Sequence, residues 1–204
     1  MIIKVCGMRD AENIRAVEAL GIDLMGFIFW PKSSRYVGEK PAYLPENCRR
    51  AGVFVDASVE DILDAVRDFR LDVVQLHGHE TPEEISTLKK HLPAIRIIKS
   101  LAVASPEDLA QTAAYESVCD AFLFDAKGRL PGGNGSQFDW SVLRRYKGRL
   151  PFLLSGGIGP GDERRIREFS VPGCIGIDLN SRFETAPGLK DVAALKTFIE
   201  TIRP

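Results

Sequence analysis

The chain has 204 residues, 27 Lys and Arg against 28 Asp and Glu, and 45% hydrophobic side chains. That length buries roughly 70% of the unfolded surface in one domain, and the composition is that of a folded globular protein rather than a disordered or membrane-spanning one. A formal net charge of -1 leaves no basic excess to track phosphates, which argues against nucleic acid as a partner.

The N-terminus turns polar at Arg9 and Asp10, too soon for a signal peptide or membrane helix, so a cytoplasmic chain with no membrane partner is expected. Short apolar runs then recur in order: Ile2 to Val5, Leu24 to Phe29, Ala51 to Val55, Val73 to Leu76, Ile95 to Ile98, Ala121 to Phe124, Phe152 to Leu154 and Cys174 to Ile177. They hardly alternate, as befits strands covered on both faces. Helical patterns lie between them: Ala11 to Leu20, Val59 to Phe69, Pro82 to His91, Pro106 to Tyr115, Phe138 to Arg145, Gly161 to Phe169 and Leu189 to Ile202, with Gly38 to Pro45 the weakest. Asp10, Ser58, Thr81 and Ser105 stand where N-caps belong, with Glu84 and Asp108 three residues past the last two. Eight such units of ~25 residues predict an α/β fold in which residues 1–204 form a single (β/α)8 TIM barrel.

In such a barrel the working groups stand at the C-terminal ends of strands. Cys6 ends the first run and is followed by Gly7, while Asp125 ends the sixth. A proton donor and acceptor across one mouth suit a proton-shifting isomerisation. Each has a bland alternative, an inert buried thiol and a loop-capping carboxylate. Lys4 shares the strand parity of Cys6; it either supplies positive charge to the thiol or is a structural charge paired with a carboxylate. Cys48, Cys119 and Cys174 lie at or before strand starts and read as packing residues; no Cys-x-x-Cys pair occurs, and reduced thiols are expected.

The seventh run ends in Ser155-Gly156-Gly157 and the eighth in Asp178-Leu179-Asn180-Ser181, positions at which this fold commonly holds a phosphate. Arg35, in Pro31 to Tyr36, offers a fork for a carboxylate or is a solvated loop residue. Pro131-Gly132-Gly133-Asn134-Gly135 is either a lid or a plain connection. His77 and His79 follow the fourth run, but His91 falls in a helix, so no metal site is expected.

Taken in order, Lys4-Val-Cys6-Gly7-Met8, Gly26-Phe27-Ile28-Phe29, Ser33-Ser34-Arg35-Tyr36-Val37, Gly52-Val53-Phe54-Val55, Val74-Gln75-Leu76-His77-Gly78, Asp125 with Gly132-Gly133-Asn134-Gly135, and Leu154-Ser155-Gly156-Gly157-Ile158 resemble the phosphoribosylanthranilate isomerase family nearly end to end. The resemblance implies a cofactor-free Amadori rearrangement in tryptophan biosynthesis. It implies Asp125 as the acid that opens the ribose ring, Cys6 as the base at C2, and Arg35 on the anthranilate carboxylate. It also implies Gly156, Gly157, Asp178, Asn180 and Ser181 around the phosphate. The implied partner is a small phosphorylated substrate, taken by a monomer or homodimer. One stretch departs from the family pattern: Asn180-Ser181-Arg182-Phe183-Glu184 stands where Ser-Ser-Gly-Val-Glu is usual. Arg182 there either contacts the phosphate or caps the barrel rim.

Two other readings compete. Lys99, at the end of the fifth run, suits a Schiff-base aldolase, and a barrel that binds a phosphorylated ligand without catalysis would not need Cys6 or Asp125.

Overall fold

A computed structural model describes residues 1–127 and 138–203. Eight parallel strands close into a barrel in chain order: β1 (Ile2–Cys6), β2 (Leu24–Ile28), β3 (Arg49–Phe54), β4 (Val73–Leu76), β5 (Arg96–Val103), β6 (Ala121–Ala126), β7 (Phe152–Leu154) and β8 (Cys174–Leu179), with β1 bonded to both β2 and β8. The (β/α)8 expectation holds. Alternate residues separate two cores, because successive side chains point to opposite faces. Leu24, Ala51, Val73, Ile98, Leu123 and Leu153 fill the lower barrel interior, while Ile3, Val5, Met25, Phe27, Phe54 and Ile97 pack outward into the helical layer.

The helices are α1 (Ala11–Glu18), α2 (Val59–Phe69), α3 (Pro82–His91), α4 (Thr112–Tyr115), α5 (Glu163–Glu168) and α6 (Val192–Ile202). Asp10, Ser58 and Thr81 cap the first three through side-chain oxygens, and Thr81 shares a capping box with Glu84. Elsewhere helix is shorter than the pattern suggests. Pro106 to Tyr115 divides into a 3-10 turn, Pro106–Gln111, and α4, and the segment before β7 is a 3-10 turn, Trp140–Arg145. Residues Leu189 and Lys190 form β10, which pairs with β9 (Glu184–Ala186) before Asp191 caps α6.

Gly38 to Pro45 forms no helix. Pro41 and Pro45 remove donors and Gly38 raises the entropic cost, and the segment is held instead by the carboxylate of Glu18. That group accepts from the Tyr43 hydroxyl at 2.5 Å and from the N–H groups of Glu46 and Asn47 at 2.6 and 2.5 Å. At the N-terminal mouth Asp23, Asp72 and Asp120 accept the N–H groups of Ile3, Arg50 and Ile97, tying strand starts together on the face that carries stability.

Candidate active site

The parity that puts Leu24 and Ala51 inside also turns Lys4 and Cys6 of β1, Gln75 of β4, Ser100 of β5, Asp125 of β6 and Asp178 of β8 inward. All are buried, Lys4 completely. These polar groups occupy the barrel above the apolar layer, toward the C-terminal mouth.

Lys4 Nζ donates to Asp178 Oδ1 at 2.9 Å. Of the two sequence readings of Lys4, the structure shows the carboxylate pair, and Lys4 still acts on the thiol of Cys6. Burial pushes that thiol up, Lys4 pulls it down and Asp178 pushes it up, for a net rise above its ordinary value. Burial likewise raises Asp178, with Lys4 opposing and Asp125 adding to the rise. Space for the sulfur comes from Gly26 on β2, where a Cβ would sit 2.7 Å from Cys6 Sγ.

Asp125 accepts from the Ala126 N–H at 2.8 Å, and His77 Nε2 lies 3.5 Å from its other oxygen. His77, dismissed above as a metal ligand, therefore stands beside the candidate acid; it follows Gln75 at inward parity, and that spacing was the available signal. Gln75 Nε2 donates to Ser100 Oγ at 3.1 Å, and Gln75 Oε1 is buried without a partner among the described residues. Gly156, with φ +93°, passes so close that a Cβ would lie 3.2 Å from Asp125 Oδ1.

Arg35 is no solvated loop residue. Its Nε and Nη2 donate to Glu184 at 2.7 to 2.9 Å, and Lys190 Nζ donates to Glu184 Oε1 at 2.6 Å and to Asn180 Oδ1 at 2.7 Å. Glu184 is held below the usual carboxylate range: burial alone raises it, but Arg35 and Lys190 more than offset that. Lys190 and Glu184 were not singled out from sequence, since neither ends a barrel strand.

The phosphate residues divide. Gly156 and Gly157 follow β7 with φ of +93° and +66°, and Ser181 opens a turn, Ser181–Phe183, after β8. Arg182 crosses the β7–α5 loop, where a Cβ on Gly159 would meet Arg182 Nε at 3.0 Å. Asp178 is different: its carboxylate is paired with Lys4 inside the barrel, so its side chain is committed elsewhere than the phosphate loops. The Asn180 side chain is likewise engaged, by Lys190. The lid segment Pro131 to Gly135 lies outside the described residues.

Lys99 is a correction. It does not end β5, which runs on to Val103, and its parity opposes inward Ile98. Its ammonium bonds Glu80 Oε2 at 2.8 Å and the Gly78 carbonyl at 2.6 Å, 5.7 Å from the Tyr115 ring of α4, so it faces the helical layer and cannot reach a substrate in the mouth. No cluster of metal-ligating side chains occurs among the described residues, and no helix among them is long and apolar enough to cross a membrane.

Residues 3–201 match the family described as N-(5'-phosphoribosyl)anthranilate (PRA) isomerase. A protein of Phocaeicola vulgatus named N-(5'-phosphoribosyl)anthranilate isomerase is 52% identical over 203 residues, covering 100% of this chain and 98% of its own. Among solved structures, phosphoribosyl anthranilate isomerase from Thermotoga maritima is 31% identical with a TM-score of 0.82, covering 100% of this chain and 99% of its own. A second such isomerase, solved with reduced 1-(o-carboxyphenylamino)-1-deoxyribulose 5-phosphate, is 30% identical with a TM-score of 0.80 at the same coverage.

Proposed function

The chain belongs to the N-(5'-phosphoribosyl)anthranilate isomerase family, and from that premise we propose which residues carry its reaction. The enzyme converts N-(5'-phosphoribosyl)anthranilate to 1-(2-carboxyphenylamino)-1-deoxyribulose 5-phosphate in tryptophan biosynthesis, an Amadori rearrangement by general acid and base.

Asp125 gives its proton to the ribose ring oxygen; the C1–O bond breaks and the nitrogen lone pair forms a C1 iminium. The Cys6 thiolate then removes the C2 proton, and the C–H electron pair forms a C1–C2 double bond while neutralising the iminium. The resulting enolamine takes a proton at C1, loses the enol proton and becomes the ketone, so atoms balance as an isomerisation must. One observation supports the assignment: Cys6 is the last residue of β1 and Asp125 the last but one of β6, both with side chains turned into the same mouth. A buried setting makes each charge on them worth more than in water.

Arg35 receives the anthranilate carboxylate. Glu184 holds its Nε and Nη2, which fixes the plane of the fork and leaves Nη1 outside that contact. Gly156 and Gly157 supply a backbone concavity suited to the phosphate, and the backbone of Asn180 and Ser181 follows the neighbouring strand β8. Every named residue comes from one chain, so the site suits a monomer or a homodimer alike, and free thiols suit the cytoplasm.

The test is turnover of phosphoribosylanthranilate, followed by loss of its fluorescence, for wild type, Cys6→Ser and Asp125→Asn. Each substitution is expected to cost at least ~100-fold in kcat. Retention of activity within about fivefold in either variant removes that residue from its role.

A further inference from the structure

Beside the candidate thiol lies a set of charges that the acid and base do not use. Lys190 is 3% exposed, and its backbone is pinned by Asn13, which accepts from its N–H at 2.8 Å and donates to its carbonyl at 2.9 Å. Its ammonium is held by Asn180 and Glu184, and Glu184 also accepts from Arg35 and from the Gly188 N–H. These groups converge on Gly7. A Cβ there would lie 2.8 Å from Arg35 Cδ, 2.9 Å from Asn180 Oδ1 and 3.5 Å from Lys190 Nζ. The buried ammonium therefore abuts the residue next to Cys6.

The charges around the thiol do not cancel. Lys4 on β1 pairs with Asp178 on β8, β2 presents Gly26 to the sulfur, and Asp125 on β6, with His77 beside it, enters the same mouth as the proton-bearing acid. Arg35 and Lys190 together face the single carboxylate of Glu184, leaving one positive charge in excess. A buried charge is costly until an opposite one approaches, and a thiolate at position 6 is such a charge. An ammonium has three donors, and Asn180 and Glu184 take two of them.

We propose that Lys190 is a positioning residue for the base: pinned by Glu184 and Asn180 beside Gly7, it favours the thiolate of Cys6, and Glu184 ties that charge to the Arg35 clamp. The proposal rests on Cys6 as the base. It also agrees in sign: burial pushes the thiol up, Lys4 opposes that most strongly, and Lys190 adds a smaller pull in the same direction.

Alkylation of Cys6 by iodoacetamide, quantified on its peptide by mass spectrometry across pH, reads the thiolate without substrate. Lys190→Met is expected to raise the midpoint by about one pH unit, or about tenfold slower labelling at fixed pH. Lys190→Arg should restore labelling to within about threefold, and kcat should follow the same shift with KM nearly unchanged. Identical midpoints in wild type and Lys190→Met overturn the proposal, as does equal loss in the Met and Arg variants with no shift. If Cys6→Ser turns over normally, the base assignment falls instead, while the labelling still decides whether Lys190 acts on the thiol.

Discussion

Lys4 Nζ and Asp178 Oδ1 stand 2.9 Å apart inside the barrel, joining the first strand to the last at the level of the candidate base. Both are shielded from solvent, so each makes the other tolerable. Lys4→Met should destabilise the protein by about 3–5 kcal/mol by leaving Asp178 buried and unpaired, and a Lys4→Met/Asp178→Leu double variant should recover much of that. Urea unfolding of the two variants checks this; equal losses in both would show that the pair contributes nothing beyond the separate side chains.

The thiol of Cys6 lies above its ordinary value because burial outweighs Lys4. In the proposed role Cys6 works as thiolate, so activity is expected to be lost as pH falls below that raised value and gained as pH rises toward it. kcat/KM should climb between pH 7 and 9 by up to about tenfold per unit. A plateau reached below pH 7 would contradict a raised thiol in the base role.

Gly26→Ala places a methyl group 2.7 Å from Cys6 Sγ. The sulfur must move, at about 1–3 kcal/mol of overpacking. Turnover should fall at least about tenfold while circular dichroism stays that of a folded barrel, because a displaced base loses its line to the C2 proton. Unchanged kinetics would mean that the sulfur's position is not constrained by β2.

Lys99→Met tests the aldolase alternative. Lys99 faces Glu80 and Tyr115 in the helical layer, so kcat should stay within about twofold and borohydride should trap no substrate adduct on the wild type, although melting temperature drops as Glu80 loses its partner. A reduced adduct on Lys99 would reverse the parity argument.

How much was legible in the sequence differs from residue to residue. Strand ends could be read because β1, β4 and β7 are short apolar runs with sharp polar exits, and the exits gave Cys6 directly. The end of β5 could not, because Ser100 to Val103 continues the strand past its first polar residues, and Lys99 was misplaced as a consequence. The weak helix after β2 failed where a distant carboxylate, Glu18, competes for the segment's N–H groups.

The sequence by itself determined the eight-fold alternation, the barrel and the two strand ends that carry Cys6 and Asp125, because periodicity and local turn chemistry are encoded within a few neighbours. The tertiary structure alone decided the charges around them. Lys4 meets Asp178 across 174 residues and Arg35 meets Glu184 across 149, so their pairing exists only once the barrel has closed. Closure also decides Lys190, which stands on a hairpin outside the barrel and comes beside Gly7 only because the chain's last turns fold back over its first strand.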